Sequence, residues 1–138
     1  MDMQQNEFSR IIELDDSILE KKFESKAEKH ELEALAKRLD VFKINDFKLD
    51  YIITNKQDIL GAYTLIASIE AKIVKFLVEG KEESTEIKDK FDVILLTEDM
   101  ARNNYEQLKD FDIEVFDEDK KVDVGEIATQ YLSLCVFM

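Results

Sequence analysis

The sequence is poor in the residues that build common catalytic and metal centres, with one cysteine, Cys135, and one histidine, His30. A single cysteine permits no internal disulfide and no thiolate metal cluster, and it fits a reducing compartment. A catalytic triad needs a base, and a zinc site needs several nitrogen or sulfur ligands. His30 lies off the apolar stripe of its predicted helix, so we expect a solvated histidine. We predict that the chain is not an enzyme and holds no metal or cofactor.

Proline is absent and glycine occurs only three times. Phosphate-binding loops need several glycines at fixed spacing before a helix, whereas Gly61, Gly80 and Gly125 are isolated from one another. The chain also lacks internal repeats and low-complexity linkers. We therefore predict one domain over residues 1–138, a length that suffices for a single core.

Long apolar runs are missing too, since no segment approaches the roughly 18 apolar residues of a membrane-spanning helix. The first ten residues contain Asp2 and Glu7 and no apolar core segment, so we expect neither a signal peptide nor a membrane anchor. These features predict a cytoplasmic protein.

Positive charge is scarce: 19 Lys and Arg stand against 32 Asp and Glu, for a formal net charge of −13. Such a field repels phosphate and disfavours broad binding to RNA or DNA. It attracts basic partners, of which ribosomal proteins are obvious candidates, although acidity also serves solubility.

Two small groups of residues are candidate contacts. Lys72 and Lys75, near Phe76, resemble a basic and aromatic strand for single-stranded RNA, although a core Phe76 with exposed lysines is the simpler interpretation. Glu82, Glu83 and Glu86 are candidates for a basic protein. Other acidic runs, at residues 15–16, 98–99 and 117–119, are interpreted as solvated turns rather than as magnesium sites.

Hydrophobic residues make up 45% of the chain and include nine Phe, which indicates a real core. The apolar pattern has period two in several segments and period 3.6 in two others. Strands are predicted at 8–14, 47–54, 61–80, 87–96 and 111–115, and helices from a cap at Ser25 to Leu39 and from a cap at Asp123 to Cys135. Ser25 with Glu28, and Asp123 with Glu126, are the predicted capping boxes.

These elements predict an α+β fold with two main helices on a strongly twisted, mainly antiparallel sheet. The apolar alternation from Gly61 to Gly80 exceeds a typical strand, so we expect a bulge or sharp bend near Val74. A bend of this kind allows the sheet to close into a barrel. The sequence pattern does not decide whether it does so. Ile94 and Leu96 alternate with other apolar residues, which indicates an inner strand buried on both faces.

Several segments occur in an order and spacing that resemble the YceD-like family, formerly a domain of unknown function. The most distinctive is the helix opening Val122-Asp123-Val124-Gly125-Glu126-Ile127-Ala128. The other matching segments are Glu7-Phe8-Ser9-Arg10, Leu35-Ala36-Lys37-Arg38-Leu39, Leu65 to Ile73, and Ile87 through Phe91-Asp92-Val93. The resemblance covers nearly the whole chain.

Two departures from the family pattern stand out. Where the family carries a Cys and then a Thr-Leu-Glu-Pro-like run, this chain has Phe76 and then Leu77-Val78-Glu79-Gly80. The glycine that commonly follows the first helix is Asp40. Any role that depends on the missing motif is therefore not carried over.

The resemblance implies participation in the accumulation of large-subunit ribosomal RNA, and it implies no catalytic residues. With the charge, it suggests binding of a basic ribosomal protein or a large-subunit assembly intermediate; direct RNA binding stays open. The alternative is an acidic, secretion-chaperone-like protein that holds unfolded partner segments along a sheet or groove. A metal-assisted hydrolase built from carboxylates is a distant third.

Overall fold

The computed structural model describes residues 6–55, 59 and 61–137. The long strands are β3 (Lys43–Thr54), β4 (Tyr63–Val74) and β7 (Thr85–Leu96). The short strands are β1 (Ile11–Glu13), β2 (Lys22–Lys26), β5 (Leu77–Val78), β6 (Lys81–Glu82), β8 (Ile113–Val115) and β9 (Lys121–Asp123). The helices are α1 (Lys29–Leu39), α2 (Glu98–Asn103), α3 (Tyr105–Leu108) and α4 (Val124–Val136), with a 3₁₀ turn at Asp16–Ile18.

The main sheet has five strands in the order β2-β3-β4-β7-β8. Pairing is antiparallel from β2 to β7, whereas β8 lies parallel to β7. The α+β class with a mainly antiparallel twisted sheet is thus confirmed. The sheet is open, with β2 and β8 at its edges, so barrel-like closure is not found.

The core lies on one face of this sheet, where alternate residues of the long strands point toward α1 and α4. Phe47, Leu49 and Ile53 of β3 and Leu65 and Ile69 of β4 are fully buried there. Each such side chain contributes about 1.5–3 kcal/mol through burial. We call this side the inner face and the opposite side the outer face.

Within the described part of the chain, α2 and α3 cover one end of the outer face and leave the rest uncovered. Ile94 and Leu96 of β7 pack there with Ala62 and Leu108. Both faces of β7 are therefore buried at this end, which confirms the prediction of an inner strand. The strand lies between β4 and β8.

The predicted first strand and the first helix cap both need correction. Of the predicted 8–14 strand, Ile11–Glu13 form β1, which pairs with β9, and backbone bonds of Arg10 and Leu14 extend this pairing by one residue at each end. Ser25 lies in β2, and Glu28 and Glu31 form the capping box of α1 instead. The box begins three residues later because Ser25 pairs with Leu49 across the sheet.

The long β segment is two elements rather than one bent strand. β4 ends at Val74, and a separate two-stranded hairpin, β5 with β6, follows Lys75. The register shift of the sheet lies in β3, between Ile44 and Asp46. The strand predicted at 47–54 and β3 both end at residue 54. Of the turn expected next, at residues 55–58, residues 56–58 lie outside the described residues.

Among the described residues, no helix is long and apolar enough to cross a membrane. The longest, α4, spans 13 residues.

Candidate binding surfaces

The five predicted contact residues lie together at one end of the main sheet. Lys72 is in β4, Glu82 in β6 and Glu86 in β7, while Lys75 and Glu83 lie in turns beside the β5–β6 hairpin. All five side chains are exposed. We call this surface the hairpin end, and it combines the candidate RNA contacts and the candidate protein contacts.

The charges of the hairpin end are largely compensated. Lys72 has Asp46 as its register partner on one side and Glu86 on the other, and side chains in such cross-strand pairs are close enough to interact. Glu86 also lies 3.4 Å from the Lys88 ammonium, and Glu82 lies 3.7 Å from that of Lys43. This mixture favours neither a phosphate backbone nor a strongly basic protein.

Phe76 at the hairpin end is 65% exposed, so the interpretation of Phe76 as a core residue is wrong. The residue follows the end of β4 and leads into a hairpin that extends beyond the core. Phe42 and Leu77 at this end are exposed as well, and the Phe42 amide donates to the Lys75 carbonyl at 3.0 Å. The lysines are exposed as expected.

The β5–β6 hairpin contains a tight turn at residues 79 and 80. Its two turn residues, Glu79 and Gly80, have φ of 51° and 76°, as in the type I′ turn that favours tight hairpins. Proline has φ locked near −65°, so a proline at position 80 is incompatible with this turn.

A second surface lies at the opposite end of the sheet. Because β7 and β8 are parallel, their carboxyl ends lie side by side at the same end of the sheet. Leu96 there has Val115 as its register partner. The segments that follow, 97–99 and 116–119, line one cleft of about 670 Å³. We call it the acidic cleft, because it is lined by Glu98, Asp99, Asp117, Glu118 and Asp119 together with Thr97 and Phe116.

Few positive groups offset the carboxylates of the acidic cleft. Arg102 lies 3.0 Å from Asp99 and 3.8 Å from Glu98, and an exposed pair of this kind is worth little. Asp119 accepts a hydrogen bond from the backbone amide of Lys121 at 3.1 Å. In the described part of the chain, neither Asp117 nor Glu118 forms an ion pair. The cleft therefore presents a concentrated negative field.

The pairing of these two acidic runs was missed by sequence reasoning, which treated them as separate solvated turns. Their residues are indeed exposed, but the parallel alignment of β8 with β7 places them side by side. The available signal was the position of each run directly after a predicted strand. Within the described ranges, no group of three or more potential ligand side chains is arranged to hold a metal ion.

A shallow apolar groove lies on the uncovered part of the outer face. Ile52 and Ile66 are register partners on its floor, and the groove encloses about 420 Å³. Lys22 of β2 and Asp92 of β7 flank these two isoleucines on the neighbouring strands. The groove thus has apolar centre residues and charges of both signs at its sides.

The distinctive helix opening at 122–128 has a structural role. Asp123 caps α4 by accepting from the Glu126 amide at 3.1 Å and also accepts from the Arg10 amide at 2.8 Å. A Cβ on Gly125 would lie 2.1 Å from the Phe8 carbonyl oxygen. Glu126 binds Arg38 instead of closing a capping box, so that part of the prediction is wrong. This motif docks the N-terminal segment and α1 onto α4.

Asp40, which follows α1, takes the left-handed conformation with φ of 53°. Helix ends commonly use glycine at this position, and aspartate tolerates it better than most residues. The helix therefore ends in the same manner without glycine.

Comparison with known protein families, with curated proteins and with solved structures finds no match to this chain. The surfaces above are therefore assigned from their own geometry, and the YceD-like resemblance rests on the ordered motifs alone.

Proposed function

We propose that this chain is a non-catalytic, cytoplasmic binding protein that supports accumulation of large-subunit ribosomal RNA. It acts by engaging a basic ribosomal protein or a large-subunit assembly intermediate. The observation that supports this most directly is the acidic cleft, in which five carboxylates line one concave surface. The ordered motifs that resemble the YceD-like family supply the link to ribosomal RNA.

The electrostatic argument favours a basic protein over naked RNA. The chain carries a net charge of −13, and clefts lined by one sign of charge concentrate the field and speed encounter with opposite charge. A phosphate backbone is repelled by the same field. An RNA effect then follows indirectly, through a protein that the RNA needs during assembly.

The two ends of the sheet differ as candidate surfaces. At the hairpin end, Lys72 lies between two carboxylates and Glu82 and Glu86 lie near lysines. At the acidic cleft, Asp117 and Glu118 form no ion pair within the described residues. We therefore assign the partner surface to the acidic cleft, and the hairpin end becomes a matched control.

The test uses cells depleted of this protein and measures the ratio of large-subunit to small-subunit ribosomal RNA. Three chains are then expressed for rescue: wild type, a cleft variant with Asp117→Asn, Glu118→Gln and Asp119→Asn, and a hairpin-end variant with Glu82→Gln, Glu83→Gln and Glu86→Gln. Both variants remove three exposed charges. We expect the ratio to fall on depletion and to recover with wild type and the hairpin-end variant, but not with the cleft variant.

An unchanged ratio on depletion would overturn the proposed role in ribosomal RNA accumulation. Full rescue by the cleft variant would retain that role and reject the acidic cleft as the partner surface. Tight, salt-insensitive binding of the purified chain to naked RNA would contradict the indirect mechanism.

The second candidate is a secretion-chaperone-like protein, favoured by the groove on the outer face with Ile52 and Ile66 on its floor. A groove of this kind suits an extended apolar segment of an unfolded partner. Ile66→Lys places a charge on the floor of the groove and separates the two functions. Loss of binding to unfolded chains with a normal ribosomal RNA ratio would support the chaperone reading.

A further inference from the structure

Among the residues that the structure describes, strand β8 leaves one edge of the main sheet unpaired. It bonds to β7 on one side, where the Ile94 amide donates to the Asp112 carbonyl and the Phe116 amide donates to the Leu96 carbonyl, each at 2.9 Å. No other described strand pairs with β8. The backbone next to the acidic cleft is therefore open for pairing.

The direction of the open groups follows from the parallel ladder. In such a pair, alternate residues of a strand bond to the neighbour and the residues between them point the other way. Since Asp112 and Phe116 bond to β7, Ile113 and Val115 direct their amides and carbonyls to the free edge. No described backbone group pairs with these amides and carbonyls. Two donors and two acceptors thus form a short template for another strand.

The side chains along this edge alternate in character. Ile113 and Val115 are 40% and 46% exposed, and they share a side of the sheet with their register partners Ile94 and Leu96. Glu114 lies on the opposite side, in a small pocket that Lys121, Val122 and Glu126 also line. The edge therefore offers apolar contacts on one side and a carboxylate on the other.

The charge around the edge selects its occupant. From Asp110 to Asp119 there are six carboxylates and no basic residue. A second copy of the chain would bring two such acidic strands together, and like charges opposite each other destabilise strand pairs. A basic segment is complementary instead.

We propose that the free edge of β8 is a docking site that receives an extended segment of a basic protein as an additional strand, with alternating lysine or arginine and apolar residues. The apolar residues contact Ile113 and Val115, and a basic residue reaches Glu114. This inference rests on the proposed function, because it names how a basic partner is held beside the acidic cleft. Backbone pairing supplies affinity and the alternation supplies specificity.

Glu114 supports this assignment. Burial, and secondarily the charge of Glu126, raise the pKa of the Glu114 carboxyl. Among the described residues no basic side chain forms an ion pair with it. A carboxylate held in this way is destabilised in the free protein, and a basic residue of an added strand would relieve that cost.

The probe is an eight-residue peptide that alternates lysine and valine, added to the full-length chain at low ionic strength. Amide hydrogen exchange is followed by NMR for β8. We expect the amides of Ile113 and Val115 to exchange at least tenfold more slowly at saturating peptide. The amides of Glu114 and Phe116 should not change, because they face β7.

Two control peptides separate strand addition from simple charge attraction. The same peptide N-methylated at every amide keeps its charges but loses its backbone donors, and a glutamate–valine peptide keeps the backbone and reverses the charge. We expect at least tenfold weaker binding for both. Equal binding of the N-methylated peptide, or binding of the lysine peptide with unchanged exchange at Ile113 and Val115, would overturn strand addition.

A variant tests the same edge from the protein side. Val115→Pro removes a backbone amide that points away from β7 and that the fold does not use, and edge strands tolerate proline at such positions. Val115→Ala keeps this amide. Because Val115→Ala also shortens one apolar contact, it serves as the reference: we expect the proline variant to bind the peptide at least tenfold more weakly than the alanine variant, and equal binding by the two would overturn strand addition. Should the proline variant fail to fold, the N-methylated peptide still decides the question. The ribosomal RNA ratio decides the proposed function independently of these results.

Discussion

Arg38 and Glu126 join α1 to α4 through two parallel hydrogen bonds. Nη1 of Arg38 donates to Oε1 of Glu126 and Nη2 donates to Oε2, each at 2.6 Å. The two side chains are 29% and 19% exposed, and the pairing lowers the pKa of the Glu126 carboxyl and raises that of the Arg38 guanidinium. Bidentate pairs of this kind are among the stronger polar contacts in proteins.

We expect Glu126→Gln to lower the free energy of unfolding by about 1–3 kcal/mol at pH 7, since it replaces a bidentate charged pair by one neutral acceptor. Urea denaturation measures the change. The matched control is Glu106→Gln, which breaks the exposed ion pair between Glu106 of α3 and Lys109, the residue after that helix. This change should be much smaller. Equal effects of the two substitutions would show that the Arg38 contact adds no stability.

Gly125 gives the second prediction. A helical Gly→Ala change usually stabilises a protein by about 1 kcal/mol. Here the added Cβ would lie 2.1 Å from the Phe8 carbonyl oxygen and 2.8 Å from the Arg10 amide nitrogen. We therefore expect Gly125→Ala to destabilise the chain by about 1–3 kcal/mol or more, measured as a fall in the urea midpoint. Ser133→Ala, later in the same helix, is the control and should be near neutral. A more stable Gly125→Ala variant would contradict the close approach.

Much of the fold could be predicted because its signals are local. The period-two alternation of Phe47 to Ile53 and the cap at Asp123 depend on neighbours in sequence, and both appear as expected. The end of β4 at Val74 was harder to define, because the apolar residues of the following hairpin continue the alternation without packing on the core. Phe76 was assigned to the core for that reason.

The acidic cleft could not be predicted in the same way, because it depends on which strands pair. Asp99 lies in the first turn of α2, and α3 and β8 lie between it and Asp117 along the chain; only the parallel pairing of β8 with β7 makes their segments neighbours. Nothing in the composition of 111–115 distinguishes a parallel edge strand from an antiparallel one. Glu126 shows the same limit, because its position fits a capping box but Arg38, 88 residues away, binds it instead.

The Arg38–Glu126 contact also predicts a pH dependence. The folded pKa of Glu126 lies below its ordinary value because of the bond from Arg38. Its stabilising contribution is therefore complete above the unfolded pKa, about 4.3, and is lost as the pH falls through the lowered folded value. We expect the stability difference between wild type and Glu126→Gln to be constant from pH 7 to about pH 5 and to shrink below about pH 4. A difference that grows in acid would show the opposite sign of the shift.

Glu114 should behave in the opposite way. Its folded pKa is raised by burial, so the ionised carboxylate costs stability above that pKa, and the cost disappears as the pH falls below the ordinary value. We expect Glu114→Gln to raise the free energy of unfolding at pH 7 by a few tenths to about 1 kcal/mol, after allowance for solvent screening. The gain should vanish near pH 3.5.

The control for Glu114→Gln is Glu118→Gln, which removes one charge from an exposed position nearby and should give a smaller gain. The two variants also differ at the edge of β8, where Glu114→Gln should weaken binding of the lysine–valine peptide while it stabilises the fold. A side chain that lowers stability but improves binding is expected at a functional surface. If Glu114→Gln instead lowers stability at pH 7, the carboxylate has a stabilising partner in the folded chain and this assignment of Glu114 is wrong.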